Sequence, residues 1–76
     1  MNEEIFTQDM RKFLKKVGVT SQQEIEKAVQ QALEANRLYP DAELSAHVTL
    51  RVEGPDGALL VDHGVDGSIR LEDGEA

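Results

Sequence analysis

The segment from Asp62 to Asp73 has the spacing of a calcium-binding loop, with Asp at its positions 1 and 5, Gly at 6, Ile at 8 and Asp at 12. Such a loop uses the glycine for a sharp turn that lets carboxylates converge on the cation. Against this, position 3 is Gly64, which offers no ligand, position 12 is an aspartate of short reach, and no flanking helix is expected. An acidic β-turn is therefore the preferred reading. His47 and His63 are the two histidines. Together with Asp62 they would form a transition-metal site if strand pairing set both imidazoles on one face, but solvent-facing or interface histidines are the simpler reading. No metal and no cofactor is expected.

Hydrolytic catalysis needs a nucleophile, a base and an orienting group within hydrogen-bond reach. Ser45, Ser68, His47 and His63 supply the types, but the chain has no Gly-x-Ser-x-Gly elbow, phosphate loop or dinucleotide glycine pattern. A chain of 76 residues also encloses little volume for a substrate. No catalytic residues are assigned, and the expectation is that the protein is not an enzyme.

The remaining chemistry is charge. Arg11-Lys12-Phe13-Leu14-Lys15-Lys16 is a basic run that suits an acidic partner or nucleic acid. Two helices followed by a hairpin resemble a winged helix in outline. The helix that would read DNA, however, carries Glu24, Glu26 and Glu34, and like charge opposes approach to phosphates. A solvated helix face is the plainer account of the run.

The elements that position these residues follow from periodicity. Ile5, Phe6, Met10, Phe13, Leu14 and Val17 recur at three- and four-residue spacing, which predicts an amphipathic helix over 3–17. Glu3 and Glu4 open it, Lys15 and Lys16 close it, and Gly18 stands where a glycine stop belongs. Ser21-x-x-Glu24 reads as a capping box that starts a second helix over 22–37, with Ile25, Ala28, Val29, Ala32 and Leu33 as its buried stripe. Pro40 ends that segment.

The second half changes its period from 3.6 to 2. Leu44, Ala46, Val48, Leu50 and Val52 alternate with Ser45, His47, Thr49, Arg51 and Glu53, the pattern of a half-buried strand. Gly54-Pro55-Asp56-Gly57 signals a turn, with Pro at i+1 and Gly at i+3. A second strand is expected over about 58–63, a turn at Asp66-Gly67, a short third strand over 68–72, and a frayed acidic tail over 73–76. Two hairpin registers are open. A four-residue loop pairs Val52 with Leu59 and Leu50 with Val61, whereas a three-residue loop with a glycine bulge pairs Val52 with Leu60. Leu59, Leu60 and Val61 make the second strand apolar on both faces in either case.

The stretch from Arg11 to Gln22, continuing through Glu24-Ile25-Glu26-Lys27-Ala28, is similar to a family of short uncharacterised bacterial proteins, a domain of unknown function. The resemblance covers the chain through about Leu38, and the strand over 48–53 more loosely. It implies a small cytoplasmic bacterial protein and brings no catalytic residues.

Composition bounds the rest. Apolar residues make up 39% and charged residues 30%, as in ordinary globular chains. The longest apolar run, Ala58 to Val61, is far short of the ~20 residues that a transmembrane helix needs. There is no cysteine, hence no disulfide or thiolate zinc site. The acidic start Met1-Asn2-Glu3-Glu4 lacks an apolar leader, so a cytoplasmic location is expected. The formal net charge of −7 is uneven: residues 1–38 hold six bases and six acids, and residues 39–76 hold two bases and nine acids.

The expected fold is α+β, with two N-terminal helices on one face of a two- or three-stranded antiparallel sheet, in the order ααββ or ααβββ. One small domain over 1–72 is expected. The expected function is a non-enzymatic interaction module, homodimeric, with Arg11, Lys12, Lys15, Lys16 and Leu60 as its interaction surface. The second reading is a nucleic-acid-binding or regulatory module that uses the basic run. A different protein is the other candidate partner, and neither nucleic acid nor a membrane is an expected one.

Overall fold

The structure is a computed structural model and describes residues 1–72. It holds one helix, α1 (Glu3–Glu34), and two strands, β1 (Glu43–Glu53) and β2 (Leu59–Arg70). The order is therefore αββ, and the expectation of two helices is corrected to one. The chain divides into two units, the first Met1–Leu38 and the second beginning at Tyr39.

Helix α1 runs for 32 residues, straight through the expected break. Gly18 keeps a helical backbone, since Gly57 is the positive-φ glycine among the described residues. The physical reason lies in phase. Phe6, Val17 and Ala28 are spaced by 11 residues, as are Met10, Ser21 and Ala32, and Leu14 and Ile25. Eleven residues are close to three whole turns, so the two expected stripes form one continuous stripe. Continuation keeps every intrahelical bond across 18–21 at the cost of one interior glycine, about 1 kcal/mol. Ser21 is accordingly an interior residue and caps nothing.

The true N-cap is Asn2. Its side-chain Oδ1 accepts hydrogen bonds from the amides of Glu4 (3.0 Å) and Ile5 (3.2 Å), and Glu3 and Glu4 add negative charge to the first turn. The helix stops ahead of Pro40. Asn36 takes a left-handed φ of 56°, its amide donates to Leu33 O (3.1 Å), and the Arg37 amide donates to Ala32 O (2.9 Å). These two bonds are those of a Schellman motif with asparagine in the place glycine usually takes.

The second unit is one antiparallel hairpin. Its turn follows the sequence signal: the Gly57 amide donates to Gly54 O (2.9 Å), Asp56 Oδ1 accepts from the Ala58 amide (3.0 Å), and Gly57 adopts φ 83°. The Gly54 amide donates to Ala58 O (2.8 Å), which makes a three-residue loop. Glu53 then pairs with Leu59, but Val52 pairs with Val61. Leu60 is the extra residue of a β-bulge. Neither expected register survives beyond it, yet the second slip restores the faces of the four-residue-loop register: Val52, Leu50, Val48 and Leu44 again share a face with Val61, His63, Val65 and Ile69.

Strand β2 continues through Asp66-Gly67, so the expected turn there and the separate third strand over 68–72 are both corrected to one strand ending at Arg70. The eleven residues of β1 offer ladder partners that far, and backbone pairing overrides two glycines and an aspartate. The expected tail over 73–76 lies outside the described residues.

Candidate functional site

The hairpin sorts its side chains by face. Beyond the bulge one face carries Leu44, Ala46, Val48, Leu50 and Val52 with Val61, Val65 and Ile69, interrupted by His63 and Gly67. The other sets Glu43 against Arg70, His47 against Asp66 and Arg51 against Asp62. Three cross-strand pairs of complementary character therefore stand on a single polar face.

The most organised side chains in the structure are on that face. His47 Nδ1 meets Asp66 Oδ1, and His47 Nε2 lies 3.3 Å from Thr49 Oγ1. The carboxylate can only accept, so Nδ1–H donates to it, and in a neutral ring Nε2 then accepts from the threonine hydroxyl. The Leu71 amide donates to Ala42 O (3.3 Å), which aims the even-numbered residues of β1 at β2. His47 and Asp66 are thus a non-hydrogen-bonded pair, the kind whose side chains stand closest. Gly64 makes room for the ring: a Cβ there would lie 2.9 Å from His47 Cε1.

The order hydroxyl, imidazole, carboxylate is that of a nucleophile, base and orienting group. Its setting is an open strand face, with the His47 side chain 60% and the Asp66 side chain 84% accessible. Bulk water competes there for every bond that a substrate would make. The His47–Asp66 contact links β1 to β2 across the ladder.

The sequence-selected residues are dispersed. His63 pairs with Leu50 on the apolar face, whereas His47 is on the polar face, so the two imidazoles do not meet. Asp62 shares the polar face with His47, away from His63. Among the described residues no group of three or more metal-ligating side chains forms, and the calcium-loop spacing is overruled because those residues are extended strand. Asp62 and Asp66 are four residues apart in an extended strand, about 13 Å along the chain, too far to converge on one ion. Its twelfth position, Asp73, lies outside the described residues.

Arg11, Lys12, Lys15 and Lys16 are all exposed on one flank of α1, as their spacing of one and four residues requires. Leu60 sits at the bulge and is 68% exposed. Thr49 was no candidate in the sequence, and Asp66 was one only as the fifth position of the calcium-loop spacing, not as a partner of His47. Their signal was the cross-strand pairing, which is legible only once the bulge at Leu60 is known.

A family model matches residues 1–72, the whole described chain, and its description is a family of unknown function, DUF6494. The chain belongs to DUF6494. This agrees with the resemblance to a domain of unknown function and extends it across the hairpin. No curated protein and no solved structure matches the DUF6494 chain. Its one described helix, though 32 residues long, is not apolar enough to cross a membrane.

Proposed function

We propose that this DUF6494 chain is a non-enzymatic interaction module that associates with a second copy of itself. The observation that carries the reading is the exposure of its apolar residues. None of the described residues is fully buried. On α1, Phe6, Phe13 and Leu14 are each at least half exposed, and on the hairpin Val48 and Val65 are about half exposed. Within its own unit α1 has no second element to cover its stripe, and a two-stranded hairpin is marginally stable in water without a cover for its apolar face.

Charge supports a second copy as the cover. The helical half is neutral on balance and carries the cationic flank Arg11, Lys12, Lys15 and Lys16, while residues 39–76 carry a net −7. In a two-fold dimer the cationic flank of each protomer meets the acidic half of the other, so the contact is made twice. The same net charge opposes a role on nucleic acid.

The test is the sedimentation of variants matched for charge. Val65→Lys places a cation on the apolar face, and Ser68→Lys places one on the polar face. The reading expects Val65→Lys to weaken self-association at least tenfold and Ser68→Lys to leave it within about twofold. Equal effects of the two would overturn it.

A further inference from the structure

We propose that the outer edge of β1 is a self-pairing surface: two copies align their β1 strands antiparallel about a two-fold axis at His47, joining two hairpins into one four-stranded sheet. This rests on the self-association reading above and names the surface through which it begins.

Among the described residues, β1 has β2 on one side and no strand on the other. The even-numbered residues of β1 aim their backbone groups at β2, as Ala42 O does toward the Leu71 amide. By the alternation of the ladder, Glu43, Ser45, His47, Thr49 and Arg51 turn their amides and carbonyls to the outer edge. Natural sheets guard such edges with short or bulged strands, proline, charged side chains (lysine above all) or inward-pointing charge. Strand β2 has such a guard in the bulge at Leu60. Strand β1 has no glycine, proline or lysine, and its ladder is regular from Glu43 to Val52.

Charge and face then choose the register. To keep the apolar faces of both hairpins on one side, even residues must pair with even and odd with odd. An axis at His47 pairs Glu43 with the other copy's Arg51 twice, Ser45 with Thr49 twice, Leu44 with Leu50 twice and Ala46 with Val48 twice. Moving the axis to Val48 sets Glu43 against Glu53 twice. Moving it to Ala46 leaves Arg51 beyond the end of the partner strand, and moving it to Thr49 sets His47 against Arg51.

The His47 register also extends pairs already present. Glu43 faces Arg70 and Arg51 faces Asp62 across each hairpin. Joined edge to edge, the row reads Arg70, Glu43, then Arg51 and Asp62 of the second copy, so the sign alternates across all four strands. The two-fold makes this row twice. On the opposite face the two apolar surfaces become one continuous sheet face.

The experiment uses the full chain and two charge reversals. Glu43→Arg sets cation against cation in both intermolecular pairs, and Arg51→Glu sets anion against anion. Each variant alone is expected to self-associate about tenfold more weakly than wild type. An equimolar mixture restores both pairs in the heterodimer and is expected to associate within about twofold of wild type. Each reversal also opposes its own hairpin partner, Arg70 or Asp62, and mixing cannot relieve that clash. Recovery on mixing therefore reports the contact between copies.

Because the chain has no cysteine, Ser45→Cys and Thr49→Cys proteins can be mixed and oxidised as a second measurement. The proposal expects the mixed 45–49 disulfide in excess over the two like-with-like products, whose sulfurs would start about 14 Å apart along the strands. A wild-type dimer with no recovery on mixing and no excess of the mixed disulfide would overturn the edge pairing and leave self-association standing. A wild-type chain that stays at the mass of one copy would overturn both.

Discussion

The imidazole of His47 occupies the space that a side chain at position 64 would need, with a Cβ on Gly64 falling 2.9 Å from His47 Cε1. Glycine there is a condition for the ring to lie across the strands and reach Asp66 on one side and Thr49 on the other. An alanine within a strand is ordinarily favoured over glycine by roughly 0.5–1 kcal/mol. Gly64→Ala should therefore stabilise the His47→Ala variant by about that amount and give little or nothing in the wild type, where the ring must move. Denaturant unfolding of the four proteins of this double-mutant cycle measures the difference. Equal gains in both backgrounds would mean that the ring does not rest on Gly64.

A single helix through residues 18–21 has consequences opposite to those of two helices. Gly18 has open space around its Cβ position and a helical backbone. Gly18→Ala should raise helix stability by about 1 kcal/mol, and Ser21→Ala by a few tenths. Asn2→Ala should cost about 1 kcal/mol, because two amides lose their acceptor. Thermal unfolding followed by circular dichroism reads all three. A destabilised Gly18→Ala protein would place a helix end at that residue.

The turn should be equally selective. Gly57 at φ 83° lies in the left-handed region, where a Cβ costs roughly 1–2 kcal/mol. Gly57→Ala should lower hairpin stability by that order, and Gly57→Asn should cost less, since asparagine tolerates the left-handed region. Strand-pair contacts in NMR spectra of the two variants would rank them.

The cationic flank of α1 predicts a salt response. If Arg11, Lys12, Lys15 and Lys16 meet the acidic half of a second copy, Lys15→Glu with Lys16→Glu should weaken self-association, and so should raising the salt from about 0.1 M to 1 M, where screening shortens to roughly 3 Å. Association that tightens with salt and ignores the double reversal would leave the apolar faces as the sole contact.

Much of this architecture was legible in the residues. The period-two alternation from Leu44 to Val52 is β1, and Gly54-Pro55-Asp56-Gly57 is the turn, with its glycine in the conformation that only glycine takes readily. The helix-forming character of both N-terminal segments was equally plain. What misled was local punctuation. Gly18 and Ser21-x-x-Glu24 have the chemistry of a stop and a start, but such signals decide only when the chain gains by breaking, and here the apolar stripes on either side were already in phase. Asp66-Gly67 has the chemistry of a turn, yet it lies where β1 still offers backbone partners. The His47, Asp66 and Thr49 cluster stayed hidden for a different reason: it depends on a one-residue bulge at Leu60, and a run of three apolar residues at 59–61 does not reveal which one is left out of the ladder.

The central claim is that the chain completes its apolar burial with a second copy. Sedimentation equilibrium of the full chain over a hundredfold range of concentration tests it most directly. The account predicts a mass that rises with concentration from one chain toward two, and a constant mass of one chain across the whole range would contradict it.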